Sequence, residues 1–106
     1  MSDGIIVLTT WPDQAGAEKL AETLVSHKLA ACVNILPRMT SVYRWRGKLE
    51  HGQEHQLVIK SRKPLYARIE QHILEQHPYE LPELLVLPVQ GGSTDYLNWI
   101  TNTLDD

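Results

Sequence analysis

Two side chains of this sequence could bind a soft metal ion, one cysteine and one histidine. Cys32 is the single cysteine of the chain and lies in an apolar run, and thiolate sulfur favours copper(I) and zinc. His77 directly precedes Pro78, where an imidazole could bind a metal or act as a local cap. A lone cysteine can equally be a small buried apolar side chain. The other four histidines show no metal-ligand spacing, so the sequence contains no zinc motif.

A second group of residues could form a small-molecule site. Glu54 and Lys60 lie on the same face of one predicted strand by parity. A carboxylate and an ammonium beside aromatic rings are typical of a ligand cleft. The candidate cleft residues are Tyr43, Trp45, Glu54, Lys60, Tyr79 and Glu83. A structural ion pair between Glu54 and Lys60 is an equally compatible interpretation.

Charge is distributed unevenly along the chain, whose net charge is −3. From Arg38 to Arg68 there are eight basic and two acidic residues, whereas the remainder holds two basic and eleven acidic residues. The overall acidity disfavours nucleic-acid binding, and the absence of phenylalanine gives no support for an RNA-stacking surface. The basic segment could hold a small anion, or its side chains could simply face water.

Length and composition exclude several other classes of protein. With 106 residues, 42% of them apolar, the chain is expected to form one soluble domain over residues 1–106. A single cysteine cannot form an internal disulfide, which favours a reduced, cytoplasmic protein. The longest apolar run, 84–89, is too short for a membrane span, and no signal peptide is recognised. Enzyme motifs such as a nucleophile elbow or a phosphate loop are missing, so we expect no catalytic activity.

Hydrophobic periodicity predicts the elements that position these residues. Short apolar or alternating runs predict strands at 4–10, 30–36, 40–46, 54–61 and 84–90, with a polar loop at 48–52. Pro37 predicts a bulge or bend after the second strand, and Gly47 predicts a turn. Helices are predicted after the N-cap Asp13, from Pro64 to Gln76, and after Ser93.

This order of elements indicates an α+β fold. Joining the two halves of the strand that Pro37 interrupts gives β-α-β-β-α-β plus a C-terminal helix, the ferredoxin-like split βαβ arrangement. Both main helices then cover one face of an antiparallel sheet. The apolar strand at 84–90 is expected to be buried. We therefore expect the open sheet face or edge to be covered by oligomerisation, or alternatively by the C-terminal helix.

Several blocks of the sequence resemble the CutA family of divalent-cation tolerance proteins. The blocks are A-C-V-N at 31–34, Y-x-W-x-G-K at 43–48 and H-P-Y-E-x-P-E at 77–83, and the resemblance extends over essentially the whole chain. It implies a ferredoxin-like homotrimer similar in architecture to the PII signalling proteins. It also implies a role in tolerance to copper and other divalent metals.

Within this resemblance, Cys32 and His77 match family positions and are the metal candidates. Some bacterial members have a cysteine where Thr9 stands here and a second histidine where Gln76 stands, so two potential copper ligands are missing. The resemblance therefore implies weak copper or divalent-ion binding through His77 and Cys32. The alternative function is a PII-like trimeric signalling module that binds a small anion or metabolite in clefts between subunits.

Overall fold

Five strands and three α-helices follow one another along residues 3–105, the part of the chain that the computed structural model describes. The strands are β1 (Gly4–Trp11), β2 (Cys32–Ile35), β3 (Met39–Trp45), β4 (Lys48–Arg62) and β5 (Leu85–Pro88). The helices are α1 (Gln14–Ser26), α2 (Tyr66–Gln76) and α3 (Thr94–Asp105), with a 3-10 turn at Lys63–Leu65. The elements come in the predicted order, although the helix expected to begin at Pro64 opens with this 3-10 turn.

The sheet is antiparallel and has the order β2-β4-β1-β5, with β3 paired to the first half of β4. The strands β2 and β3 thus pair with successive segments of one long strand. Residues 36–38 between them oppose only two residues of β4, which is a bulge. The bulge expected at Pro37 is confirmed, and the whole arrangement is the predicted ferredoxin-like fold.

The predicted loop at 48–52 is wrong, because these residues form the first third of β4. Trp45 pairs with Lys48 across a two-residue turn. In that turn Arg46 and Gly47 have φ angles of 51° and 80°, the combination that a type I′ hairpin turn requires. The segment has no regular apolar alternation since this hairpin extends into solvent, so pairing with β3 rather than burial makes it a strand.

One face of the sheet carries α1 and α2 and holds the main core. Alternate residues of β1 and β4 point into it, as the period of a strand requires. The buried residues of these two strands include Ile5, Val7, Thr9, Trp11, Leu57, Ile59 and Ser61. The helices contribute Ala17, Leu20 and Leu24 from α1 and Ile69 and Ile73 from α2. These five helical residues belong to the same buried cluster as the apolar strand residues.

The start of α1 depends on two neighbouring side chains. Asp13 is the predicted N-cap, and its carboxylate accepts a hydrogen bond of 2.8 Å from the Gly16 backbone N–H. A Cβ atom at Gly16 would lie 2.5 Å from Nε1 of the buried Trp11. Glycine at this position therefore lets the first helical turn pack directly on the tryptophan ring, and this contact offsets its low helix propensity.

The opposite face of the sheet carries α3. Ser93 caps this helix as predicted, because its Oγ accepts a 3.1 Å hydrogen bond from the Tyr96 N–H. The Lys60 ammonium lies 5.6 Å from the Tyr96 ring centroid. At the end of β4, Arg62 donates hydrogen bonds to Asp3 and Asp105, which ties both ends of the described chain to the sheet. The C-terminal helix therefore covers part of the open face.

The burial expected for the strand at 84–90 is wrong for a single chain. The strand is only four residues long, and Leu85, Val86 and Leu87 are 55%, 43% and 46% exposed. The reason is its position, because among the strands in residues 3–105 β5 pairs with β1 alone, at the edge of the sheet. An apolar edge strand of this kind is a template for pairing or packing with another chain.

Candidate functional site

A cleft of about 910 Å³ lies between the β3–β4 hairpin and the loop at 77–83. Five of the six predicted cleft residues line it, and they are Tyr43, Trp45, Glu54, Tyr79 and Glu83. Tyr43 and Trp45 lie two residues apart on β3, so both side chains project from one face of the hairpin. The prolines Pro78 and Pro82 restrict the backbone of the opposite wall.

Hydrogen bonds connect the two walls of this cleft. The Tyr79 hydroxyl donates to Glu54 Oε1 at 3.4 Å, and the Gln56 side-chain amide donates to Glu83 Oε2 at 3.0 Å. Burial, together with the neighbouring Glu54 carboxylate, raises the pKa of Tyr79 above its ordinary value of 10.0. Tyr79 therefore remains a neutral hydrogen-bond donor at physiological pH. At the solvent edge, Arg46 and Glu80 form an exposed ion pair at 3.3 Å.

Lys60 is the predicted cleft residue that does not line the cleft. It shares the strand face of Glu54, but six residues of extended strand separate the two by roughly 20 Å, which excludes the ion pair considered above. Arg44, Glu54, Glu80 and Glu83 are the charged residues in the lining. With Lys60 absent, the cleft of one chain is net acidic and favours a cationic group over an anion.

His77 uses both ring nitrogens inside the chain. Its Nδ1 accepts a hydrogen bond of 3.0 Å from the Tyr79 backbone N–H, so the ring proton lies on Nε2. Nε2 then donates to the Thr10 carbonyl at 2.6 Å. The ring also packs between Trp11 and Tyr79, with centroid distances of 4.3 and 4.8 Å. His77 thereby anchors the loop at 77–83 to β1, and a metal ion would have to displace one of these bonds.

Cys32 and His77 are not neighbours within one chain. Cys32 is half-buried in β2 and pairs with Lys60 in register. His77 contacts Thr10, whose register partner in β4 is Gln56. The two candidates are therefore about four residues apart along the sheet and two strands apart across it, roughly 13 Å by 10 Å. One chain does not assemble them into a single metal centre.

Thr9 and Gln76 stand where some members of the family have metal ligands, and both have other surroundings here. Thr9 is fully buried on the helix-covered face, and its hydroxyl is the buried side-chain polar atom in residues 3–105 that lacks a hydrogen-bond partner. Gln76 is exposed, with its amide 3.4 Å from His72 Nδ1. Across the described residues, no group of three or more histidine, cysteine, aspartate or glutamate side chains is placed to hold a metal ion.

Sequence reasoning missed two residues that build the site, Thr10 and Gln56. Both act through β1–β4 pairing, since Thr10 offers its carbonyl to His77 and Gln56 bonds the Thr9 carbonyl as well as Glu83. Neither residue has a distinctive local pattern. The polar Gln56 directly precedes the apolar run 57–59 of the same strand, which is the one signal that could have indicated a partly buried hydrogen-bonding role.

The fold and the cleft define the class of this protein, a ferredoxin-like α+β sandwich with an aromatic, acidic cleft beside a proline-rich loop. None of the helices described here combines the length and the hydropathy needed to cross a membrane. Residues 5–103 match the family model for the CutA1 divalent ion tolerance protein. This chain belongs to that family.

Individual relatives agree with this assignment. The divalent-cation tolerance protein CutA of Pectobacterium atrosepticum is 47% identical over 104 residues, which cover 98% of this chain and 94% of that protein. The crystal structure of CutA from Xylella fastidiosa superposes with a TM-score of 0.93 at 40% identity, covering 98% of this chain and all of the other. The periplasmic divalent cation tolerance protein CutA from Archaeoglobus fulgidus gives a TM-score of 0.91 at 32% identity, with 95% and 98% of the chains covered.

The unpaired Thr9 hydroxyl predicts a stabilising substitution. Thr9→Val keeps the branched shape and removes a buried polar group without a partner, so the free energy of unfolding should rise by about 1 kcal/mol. Urea denaturation followed by circular dichroism measures the difference. Thr9→Ser is the matched control, because it keeps the hydroxyl, loses a buried methyl group and should be less stable than wild type. A Thr9→Val protein less stable than wild type would show that the hydroxyl is satisfied.

Proposed function

We propose that this protein contributes to divalent-cation tolerance by binding metal ions, and that it does so without catalysing a reaction. The observation that carries the proposal is the family match, which extends over residues 5–103 of the 106-residue chain. The CutA proteins of other organisms matched here are named for divalent-cation tolerance. Binding rather than catalysis agrees with two observations: Tyr79 in the cleft wall is held neutral, and the ring of His77 is engaged in structural hydrogen bonds.

Copper is the ion that suits the two candidate ligands, since thiolate and imidazole both favour it. Cys32 and His77 do not fit a single closed centre in one chain, because they are separated along and across the sheet. Each would therefore hold an ion weakly, with water or a residue of a second copy completing the coordination. Weak binding is consistent with the replacement of two family ligand positions by Thr9 and Gln76.

A copper titration tests this assignment. Cys32→Ser and His77→Gln should each weaken copper binding by about tenfold, because each removes a candidate ligand. Isothermal titration calorimetry on tag-free protein measures the affinity, and His51→Gln serves as the control since His51 is exposed on the hairpin. Circular dichroism establishes that each variant is folded. Equal affinity in wild type and all three variants would rule out Cys32 and His77 as ligands.

The proposal includes assembly as a homotrimer in the cytoplasm. Support for self-association comes from β5, whose leucine and valine side chains are about half exposed within residues 3–105 of one chain. Next to them, Ile6 and Leu8 of β1 are only half-buried although they are apolar. A second copy would remove this surface from water at about 25 cal/mol per Å². The free thiol of Cys32 suits a reducing compartment.

The assembly proposal predicts the mass of the protein in solution. Light scattering coupled to gel filtration should give three times the mass of one chain at micromolar concentration. Leu87→Lys should lower that mass, because it places a charge in the apolar edge that we propose to be buried. The matched control is Lys48→Leu on the exposed hairpin, which should leave the mass unchanged. A wild-type mass equal to one chain would overturn the proposal.

The cleft supports a second candidate function, a PII-like signalling module that binds a small molecule. Three aromatic residues and three glutamates line it, against one arginine. The basic segment of the sequence had favoured an anionic ligand through Lys60, which lies elsewhere. Aromatic faces attract cations, so the lining supports an organic cation as the ligand of such a module.

A thermal-shift comparison separates the two ligand classes. Tetramethylammonium should raise the melting temperature of wild type by binding the folded state, and inorganic phosphate at the same ionic strength should not. Glu54→Gln should reduce the shift, because it removes a cleft carboxylate while keeping the shape of the side chain. A shift with phosphate alone would restore the anion hypothesis. No shift with either probe would remove this candidate function.

A further inference from the structure

We propose that His27 and His72 together form a binding site for a divalent transition-metal ion such as Cu²⁺. The site lies where the C-terminal end of α1 meets α2, and neither histidine lines the cleft. It uses neither of the metal candidates considered above, so it stands or falls separately from the proposed function. Nothing in the sequence groups the two residues, which are 45 positions apart in the chain.

The distance between the rings fits a shared ion. The centroids of His27 and His72 are 5.7 Å apart, with an angle of 39° between the ring planes. Metal–nitrogen bonds to histidine are about 2.0–2.1 Å long, which places each ring centroid roughly 3.3 Å from the ion. Two such rings can have centroids up to about 6.5 Å apart. The observed separation therefore lies within the range that one bridging ion allows.

His27 is held in the tautomer that binds metals. It is the C-terminal cap of α1, and its Nδ1 lies 2.7 Å from the Thr23 backbone carbonyl. A carbonyl oxygen can only accept a hydrogen bond, so Nδ1 carries the ring proton and Nε2 presents a lone pair. A histidine ligand whose other nitrogen donates to a backbone carbonyl is the arrangement found in protein metal sites.

Gln76 can act as the corresponding partner of His72. Its side-chain amide lies one helical turn away, 3.4 Å from His72 Nδ1. The amide has an acceptor oxygen and a donor nitrogen, and rotation by 180° exchanges them. With the oxygen toward the ring, Nδ1 donates its proton to Gln76 and Nε2 of His72 is freed for a metal ion. Gln76 would thus be a positioning residue rather than a ligand.

The surroundings also favour a cation. The last carbonyls of α1 give its C-terminal end a partial negative charge, and His27 lies at that end. His27 is exposed and His72 is half-buried, so water has access to complete the coordination sphere. Two imidazoles plus water make an open site, in agreement with the lack of any three-ligand group in residues 3–105. Copper(II) heads the affinity order for such nitrogen ligands.

Electron paramagnetic resonance and calorimetry with Cu²⁺ alone test the site. Tag-free wild type should bind one ion per chain at this site with nitrogen hyperfine structure from two imidazoles. His27→Gln and His72→Gln should each weaken that binding by about tenfold or more and remove one nitrogen from the spectrum. His51→Gln is the control, because it removes an exposed histidine from the distant hairpin. Gln76→Ala should weaken binding less than either ligand variant.

The outcomes distinguish this site from the Cys32 and His77 assignment. Copper binding that is lost in His27→Gln and His72→Gln but retained in Cys32→Ser and His77→Gln supports the site and refutes the earlier assignment. Loss in only one of the two histidine variants would overturn the shared site, since a single imidazole would then account for the signal. Equal affinity in wild type and both variants would overturn it as well. Both residues are on the surface, and circular dichroism verifies the fold of each variant.

Discussion

The antiparallel pairing of β4 is the constraint on which the rest of this structure depends. Among the described strands, β1, β2 and β3 all pair with β4, and only β5 does not. Its second half lies at the centre of the sheet and carries Leu57 and Ile59 into the core. Its first half leaves the sheet with β3 and becomes a wall of the cleft. One continuous strand therefore couples the packing of the core to the geometry of the candidate site.

His77 performs the complementary task on the other wall. The His77 imidazole makes two hydrogen bonds to the backbone. One joins it to the Tyr79 N–H within the loop at 77–83, and the other joins it to the Thr10 carbonyl of β1. Its position between Trp11 and Tyr79 also fixes where the tyrosine hydroxyl meets Glu54. The residue that the sequence offers as a metal ligand is thus occupied in holding the site together. His27 differs in this respect, because its hydrogen bond to the Thr23 carbonyl uses Nδ1 alone.

Much of this fold can be predicted from the sequence, because single residues determine where several helices, bulges and turns occur. Asp13 caps a helix, Pro37 marks a bulge and Gly47 adopts a positive φ, and each effect depends on the residue itself. The strand at 48–52 could not be predicted, since pairing with β3 rather than an apolar face defines it. The exposure of β5 could not be predicted either, because an apolar run does not show whether its strand lies at the centre or at the edge of the sheet.

Five of the six residues predicted for the cleft do line it, but Lys60 does not. Strand parity places Glu54 and Lys60 on one face, but the rise of a strand separates them by roughly 20 Å, so Glu54 lines the cleft and Lys60 does not. The partner of His77 is the Thr10 carbonyl, 67 positions away in the chain, and no sequence pattern encodes a backbone acceptor at that separation. The same limit hid the pairing of His27 with His72, which only the packing of α1 on α2 creates.

The pairing of β4 with two very different neighbours also has a consequence for the time course of folding. The β3–β4 hairpin closes through two residues, and such hairpins form within about 1–10 μs. The β1–β4 ladder instead joins segments about 50 residues apart, and loop closure over that separation delays it. We therefore expect one wall of the cleft to form transiently before the sheet that later supports it. The slowest step of folding would then be the pairing of β1 with β4, the strand that the hairpin and the central sheet share.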